Sequence, residues 1–306
     1  MSQNIYGPIP SRRLGKSLGI STIPKKTCNY GCIYCMLDKT DKMTNTPKYY
    51  YEVSDILQQL QQVIDQKIEF DVVSLVGEGE PTLYAGLHEL IRGIKTLTNK
   101  PIAVITNGAN IDKPEVFDAL LEADIVLPSV NGYDLRTFKK INRPHKEIDF
   151  VAITHALVDF SHRFEGQLWL ELMLIEGVND STEDLLAYRD FFKRFKYDRL
   201  YINTPVRPPT EAYATKVSHE KMMQAMEILG GIGIEDVYSN GYYSTIPDDY
   251  QAILSIIKSH PMHQYEIDHF LRSRNCQDKH AIFKRLNEDP QVRVIHYRGY
   301  DNYRIK

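Results

Sequence analysis

The chain has 306 residues, 42% of them apolar and 25% charged, with a formal net charge of −3. These proportions belong to a globular chain with room for one large domain and a small second one. They exclude a global pull toward nucleic acid or anionic lipid, and no apolar run reaches the roughly 20 residues that span a bilayer. The N-terminus lacks the charged-then-apolar profile of a signal peptide, so a cytoplasmic setting without a membrane partner is expected.

Residues 7–15 (Gly-Pro-Ile-Pro-Ser-Arg-Arg-Leu-Gly) read as a rigid basic loop ahead of a strand at 17–23. A cysteine-rich loop, a polar segment at 38–46 and a Tyr-rich connector at 49–51 follow. Val53, Ile56, Leu57, Leu60, Val63 and Ile64 then recur at helical spacing. From there strands and helices alternate. Strands are expected at 70–76, 101–106, 124–130, 168–175, 199–203 and 235–238. Helices are expected near 87–97, 114–122, 134–141, 147–160, 181–195 and 218–229. This alternation predicts βαβ units and a parallel sheet closed partly into a barrel, whose functional groups sit at the C-terminal strand ends. Turns rich in Gly and Asn stand at those ends: Gly77–Pro81, Asn107-Gly108, Asn131-Gly132 and Gly177–Asp180.

A break near 244–247 divides the chain into an expected barrel domain, 1–243, and a small domain, 248–306. The latter carries three short helices (250–259, 262–272, 278–287) and a hairpin (292–297, 302–305), a winged-helix pattern. Residues 276–306 hold seven Lys/Arg against four acids, a local +3, with Tyr297, Tyr300 and Tyr303 interleaved with Arg298 and Arg304. Such cations and rings suit phosphates and unpaired bases. They suit equally a small docking domain packed on its own core.

The chemistry concentrates in Thr27-Cys28-Asn29-Tyr30-Gly31-Cys32-Ile33-Tyr34-Cys35, where three thiols fall within eight residues; the fourth cysteine, Cys276, is remote. Clustered thiolates select zinc, copper(I) or iron–sulfur centres. Structural zinc and an ordinary cubane each take four protein ligands. Three without a local fourth point to a centre with one open position, the plain alternative being a structural zinc completed by a distant His.

The Cys-x3-Cys-x2-Cys spacing with Tyr34 before the last cysteine resembles the signature of the radical S-adenosylmethionine (SAM) superfamily. The resemblance implies a partial (β/α)6 TIM-like barrel with a [4Fe–4S] cluster on Cys28, Cys32 and Cys35. It also implies SAM on the open iron, cleaved reductively to a 5′-deoxyadenosyl radical, and a flavodoxin- or ferredoxin-like electron donor. Gly79, Glu80 and Pro81 match the superfamily's SAM-amino turn, with Glu78 where a Gly is usual. Thr106 and Asn107 are similar to its ribose or methionine contacts, and Ser129 and Asn131 to ribose or carboxylate partners. Arg207, held stiffly by prolines beyond a strand end, is a candidate substrate clamp, as are Arg12 and Arg13 at the start of the barrel, joined by Lys284 and Arg298 of the tail.

Gly-Glu-Pro-Thr-Leu, Ile141-Asn142-Arg143-Pro144 and Asn203–Pro209 add a narrower resemblance, to a group described as similar to tRNA wyosine-synthesis radical SAM enzymes. This chain lacks the second-cluster cysteines of those enzymes. Wyosine chemistry itself is therefore not expected, and membership in the wider group fixes no substrate; RNA, tRNA first, delivered by the tail is one candidate. A protein or peptide, including a glycyl-radical enzyme to be activated, and a non-enzymatic iron–sulfur or zinc regulator are the alternatives.

Overall fold

The computed structural model describes residues 4–234, 242–244, 246–297 and 299–306. The chain opens with β1 (Ile5–Ser11) antiparallel to β2 (Gly15–Ile20). The opening segment, expected as loop, is thus a strand. Pro8 and Pro10 are tolerated because β1 is an edge strand whose register shifts between Tyr6 and Ile9. Two short paired strands, β3 (Thr27–Cys28) and β4 (Lys42–Met43), bracket the thiol loop.

The βα units then follow: α1 (Val53–Asp65), β5 (Val72–Leu75), α2 (Leu87–Leu97), β6 (Ile102–Thr106), α3 (Pro114–Leu121) and β7 (Ile125–Pro128). Next come α4 (Leu135–Asn142), α5 (Phe150–Arg163), β8 (Gln167–Met173), α6 (Thr182–Phe192), β9 (Arg199–Asn203), α7 (His219–Leu229) and β10 (Ile232–Gly233). The helix starts are locally encoded. Asp134, Asp149 and Ser218 accept N-terminal backbone N–H groups, and Ser181 with Asp184 forms a capping box.

One eight-stranded sheet runs β1-β2-β5-β6-β7-β8-β9-β10, parallel from β2 onward. β1 and β10 stand at opposite edges, so the barrel is partial and open. The apolar helix stripes pack on the sheet's outer face in one core, whereas Val72, Ala103, Ile125, Leu127, Trp169 and Tyr201 form a separate layer with Leu14. The expected strand 235–238 lies outside the described residues; β10 precedes it.

The C-terminal segment forms α8 (Asp249–Ser259), β11 (Met262–His263), α9 (Gln264–Ser273), α10 (Lys279–Glu288), β12 (Val292–Tyr297) and β13 (Tyr300–Ile305). Its three-stranded sheet is ordered β11-β13-β12 and antiparallel. Its apolar core joins Ile253, Ile256, Phe270, Leu286 and Tyr303 to Ile9 of the edge strand. Among the described residues no helix is long and apolar enough to cross a membrane.

Candidate active site

The thiol loop crosses the C-terminal strand ends and is strapped from several sides. The end of α4 supplies carbonyls, with Gly31 N–H donating to Asn142 O (3.0 Å) and Ile33 N–H to Ile141 O (3.0 Å). His145 N–H donates to Asn29 O, Glu211 N–H to Ile33 O, and the Thr210 hydroxyl to Cys35 O. The Gly79 turn presses on the loop's start so closely that a Cβ there would be driven into the Thr27 carbonyl oxygen. That contact explains a glycine at this strand end.

Cys28, Cys32 and Cys35 are half-buried free thiols lining one cavity of about 560 Å³. N–H groups converge on the sulfurs: Tyr30 N on Cys28 Sγ (3.4 Å), Asn107 Nδ2 on Cys28 Sγ (3.6 Å) and Asn142 Nδ2 on Cys32 Sγ (3.4 Å). Burial, then the Glu80 carboxylate, holds the Cys28 thiol well above its ordinary pKa, and burial pushes Cys32 up to about 12. Burial also raises Cys35, opposed by the Leu37 backbone N–H and by Arg304. A cationic metal centre would reverse this balance, since it binds the thiolates.

Glu80 is buried, and its carboxylate is filled from within the fold. It accepts from Thr82 N (3.0 Å), Thr82 Oγ1 (2.6 Å), Thr106 Oγ1 (2.6 Å) and Asn107 N (2.7 Å). Burial raises its pKa while these four donors oppose the rise. Glu80 therefore ties the end of β5 to the end of β6, and Asn107 bridges that tie to Asn29 (2.7 Å).

Residues 22–188 match the Radical SAM superfamily. The chain belongs to that superfamily. It is 30% identical over 304 residues to a UPF0026 protein of Methanocaldococcus jannaschii, covering 94% of this chain and 92% of that one. It is 38% identical over 224 residues to a protein named GTPase Obg of Brachyspira hyodysenteriae, where the match takes 73% of this chain but only 33% of that one. Among solved structures, a radical SAM methyltransferase from Sphaerobacter thermophilus shares the fold (TM-score 0.52, 15% identity, 71% of this chain and 65% of that). So does SuiB of Streptococcus suis, solved bound to S-adenosylmethionine (TM-score 0.51, 18% identity, 69% and 46%). Membership makes this chain an enzyme of the iron–sulfur, SAM-dependent class.

Among the described residues no group of three His, Cys, Asp or Glu is gathered to hold a single metal ion. Three thiols lining one cavity, with N–H donors on the Cys28 and Cys32 sulfurs and the Arg304 charge acting on Cys35, are a donor set that would fit a polynuclear cluster giving each thiolate its own iron.

Most of the other site residues line the same cavity, Arg12 and Arg13 from the turn before β2 and so from the N-terminal end of that strand. Tyr34, Gly79, Glu80, Thr106, Asn107 and Ser129 line the cavity with Arg12, Arg13 and Arg207. Pro81 opens a 3-10 turn and is buried. Asn131 is buried and spent on the fold, donating to Tyr34 Oη (2.7 Å) and accepting from Met173 N (2.8 Å). Arg13 is ion-paired with Glu171, and Arg207 forms a bidentate pair with Glu266 of α9 (2.7 and 2.6 Å).

The C-terminal segment roofs the cavity with His260, His263, Tyr300 and Asn302. Several of its cations and rings are engaged within the chain. Arg293 and Arg304 grip Asp38, Tyr297 donates to Pro205 O, and Tyr303 is buried. Lys284 is exposed on α10, and Arg298 lies outside the described residues. Reading the sequence did not single out His260, Asn142 or Asp38. Asn142 sat in a quoted motif, but nothing local shows that its amide meets a sulfur 110 positions away.

Proposed function

We propose that the mouth cavity holds a [4Fe–4S] cluster on Cys28, Cys32 and Cys35 with SAM beside it, and that a substrate hydrogen is removed there. When bound, that pair supplies a 5′-deoxyadenosyl radical from an electron delivered by a flavodoxin- or ferredoxin-like donor. The chain's own residues do the rest. Gly79 leaves backbone room, and Thr106, Asn107 and Ser129 offer polar groups along adjacent strand ends. Glu80 fixes the turn that carries them, and Asn131 fixes the Tyr34 ring. The observation that carries the reading is the convergence of three half-buried thiols, the Asn107 amide and the Gly79 turn on one 560 Å³ space.

We read residues 248–306 as a winged-helix-like domain, distinct from the barrel of 1–243, that closes the mouth and excludes water from the reaction. Its cations favour a protein or peptide substrate entering the mouth over a tRNA gripped from outside. Arg293 and Arg304 are spent on Asp38, Lys279 on Asp268, and Arg285 lies over the Tyr250 ring. The RNA reading rests on a rim of rings, with His263 stacked on Tyr300 and an exposed Tyr265 edge-on to it.

The deciding experiment is anaerobic reconstitution followed by reduction and addition of SAM. Wild type is expected to bind about four irons per chain and to release 5′-deoxyadenosine, and C28A, C32A and C35A to do neither. A fully loaded cluster that yields no 5′-deoxyadenosine sinks the proposal. Adding total tRNA or a peptide digest then separates the substrates. Stimulation by peptide that persists at high salt supports the preferred reading, whereas stimulation by tRNA that collapses with salt supports the other.

A further inference from the structure

The far side of the thiol loop is held by a residue from the other end of the chain. Arg304, on β13, is buried; its Nη1 donates to Met36 O (3.0 Å) and its Nη2 to Asp38 Oδ2 (2.8 Å). Arg293, on β12, reaches the same Asp38 oxygen at 2.6 Å but is half-exposed. Asp38 sits in the left-handed region (φ 78°) and also accepts from Lys39 N at 3.0 Å through its Oδ1. A non-glycine residue keeps that conformation where its surroundings hold it. Around it lie one more cation and acid, Lys26 and Asp41, paired with each other at 3.7 Å.

Two consequences follow from this geometry. Residues 36–38, which continue directly from Cys35, are fixed by a guanidinium fork that offers several N–H donors in one plane. A buried positive charge also stands at the backbone carbonyl one residue beyond a thiol, paired with the carboxylate of Asp38. The roofing segment therefore does more than cover the mouth.

We propose that Arg304 is a positioning residue for Cys35 and the source of the fixed positive charge that sets the electrostatics on this side of the cluster. The second half rests on the cluster assignment above; the first half does not. Arg304 holds the Cys35 turn closed against the cavity wall whether or not iron is present. In the loaded protein its charge favours the more negative, reduced cluster, while Asp38 moderates that effect.

The test uses the full-length chain with two readouts. In cluster-free protein, the alkylation rate of Cys35 by iodoacetamide is followed by peptide mass spectrometry across a range of pH and expressed per thiolate, because loss of the Arg304 charge also lowers the thiolate fraction, with Cys276 as internal reference. R304Q is expected to raise the Cys35 rate about tenfold relative to Cys276, and R304K to restore part of the protection. In reconstituted protein, the reduced cluster is titrated by electron paramagnetic resonance. R304Q is expected to lower the reduced-to-oxidised ratio at fixed potential about tenfold, a downward shift of about 59 mV for one electron. D38N, which removes the moderating carboxylate, is expected to shift it the opposite way.

An unchanged Cys35 rate in folded R304Q overturns the positioning role. Equal potentials in wild type, R304Q and D38N overturn the electrostatic one. If wild type binds no cluster, the radical SAM reading fails while the alkylation comparison still decides the clamp. If R304Q does not fold, R304K and D38N carry both measurements.

Discussion

Asn107 and Asn142 each direct an amide N–H at a cysteine sulfur, and neither role is written in its neighbourhood in the sequence. Asn107 stood out because it ends a strand, yet its amide is divided between Cys28 Sγ and Asn29 Oδ1. Asn142 ends α4, where the left-handed Arg143 that follows turns the chain under the loop. Residue type and strand-end position were legible; the sulfur partner was not, because it depends on how a loop 110 residues earlier folds back. A hydrogen bond to a charged partner contributes about 1.5–3 kcal/mol, so removing this one is expected to weaken the thiolate state of Cys32 by one to two orders of magnitude. N142L should therefore fold with unchanged circular dichroism but retain less iron under a chelator challenge. Equal iron retention by wild type and N142L would show that the amide does not stabilise the bound thiolate.

At the scale of the element, the six βα units were legible because buried strands and amphipathic helices carry different apolar periods. The first strand was not. Its two prolines mimic a loop, and only its place at the sheet edge, a property of the assembled sheet, makes them harmless. Strand β11 was hidden for a related reason: Met262–His263 is two residues long and runs straight into α9, whose helical signal absorbs it. The element that matters most to the site is the turn after β5. Glu80 ties it to β6, and Gly79 lets the thiol loop lie on it without intervening atoms. G79A must displace backbone rather than a flexible side chain, and overpacking of this kind costs about 1–3 kcal/mol. Because the displaced group is Thr27, next to Cys28, the damage is expected to reach the thiols. G79A should have a lower midpoint of chemical denaturation and take up less iron on reconstitution. Full iron loading at wild-type stability would mean that the loop does not need this close approach.

For the molecule as a whole, the roof was visible in the sequence as three helices and a hairpin, but its orientation was not. A run of basic residues looks the same whether it faces phosphates or pairs with acids of its own chain. Arg207 illustrates the point: a proline-stiffened arginine suited to clamp a carboxylate does clamp one, and that carboxylate is Glu266 of the roof. Burial opposes ionisation of Glu266, yet the Arg207 guanidinium outweighs it and holds the carboxyl below its ordinary range. Because the folded-state pKa lies below the unfolded one, the pair's contribution is complete above the unfolded value of about 4.3 and is lost as pH falls through the folded value. E266Q keeps a single acceptor oxygen where the carboxylate used one for Tyr242 Oη and the other for His263 N, and it strands the Arg207 charge; breaking a buried pair in this way costs about 3–5 kcal/mol. Two measurements check this. At neutral pH, E266Q should show faster amide exchange in α9 than wild type, because the roof is less firmly docked. As pH falls below about 4.3 the wild-type roof should approach the variant's exchange behaviour, while E266Q changes less, since its own position 266 no longer titrates. A neutral-pH exchange rate in α9 equal to wild type, with the same acid response in both proteins, would place the docking energy elsewhere, in the Asp38 contacts and the apolar seam at Ile9.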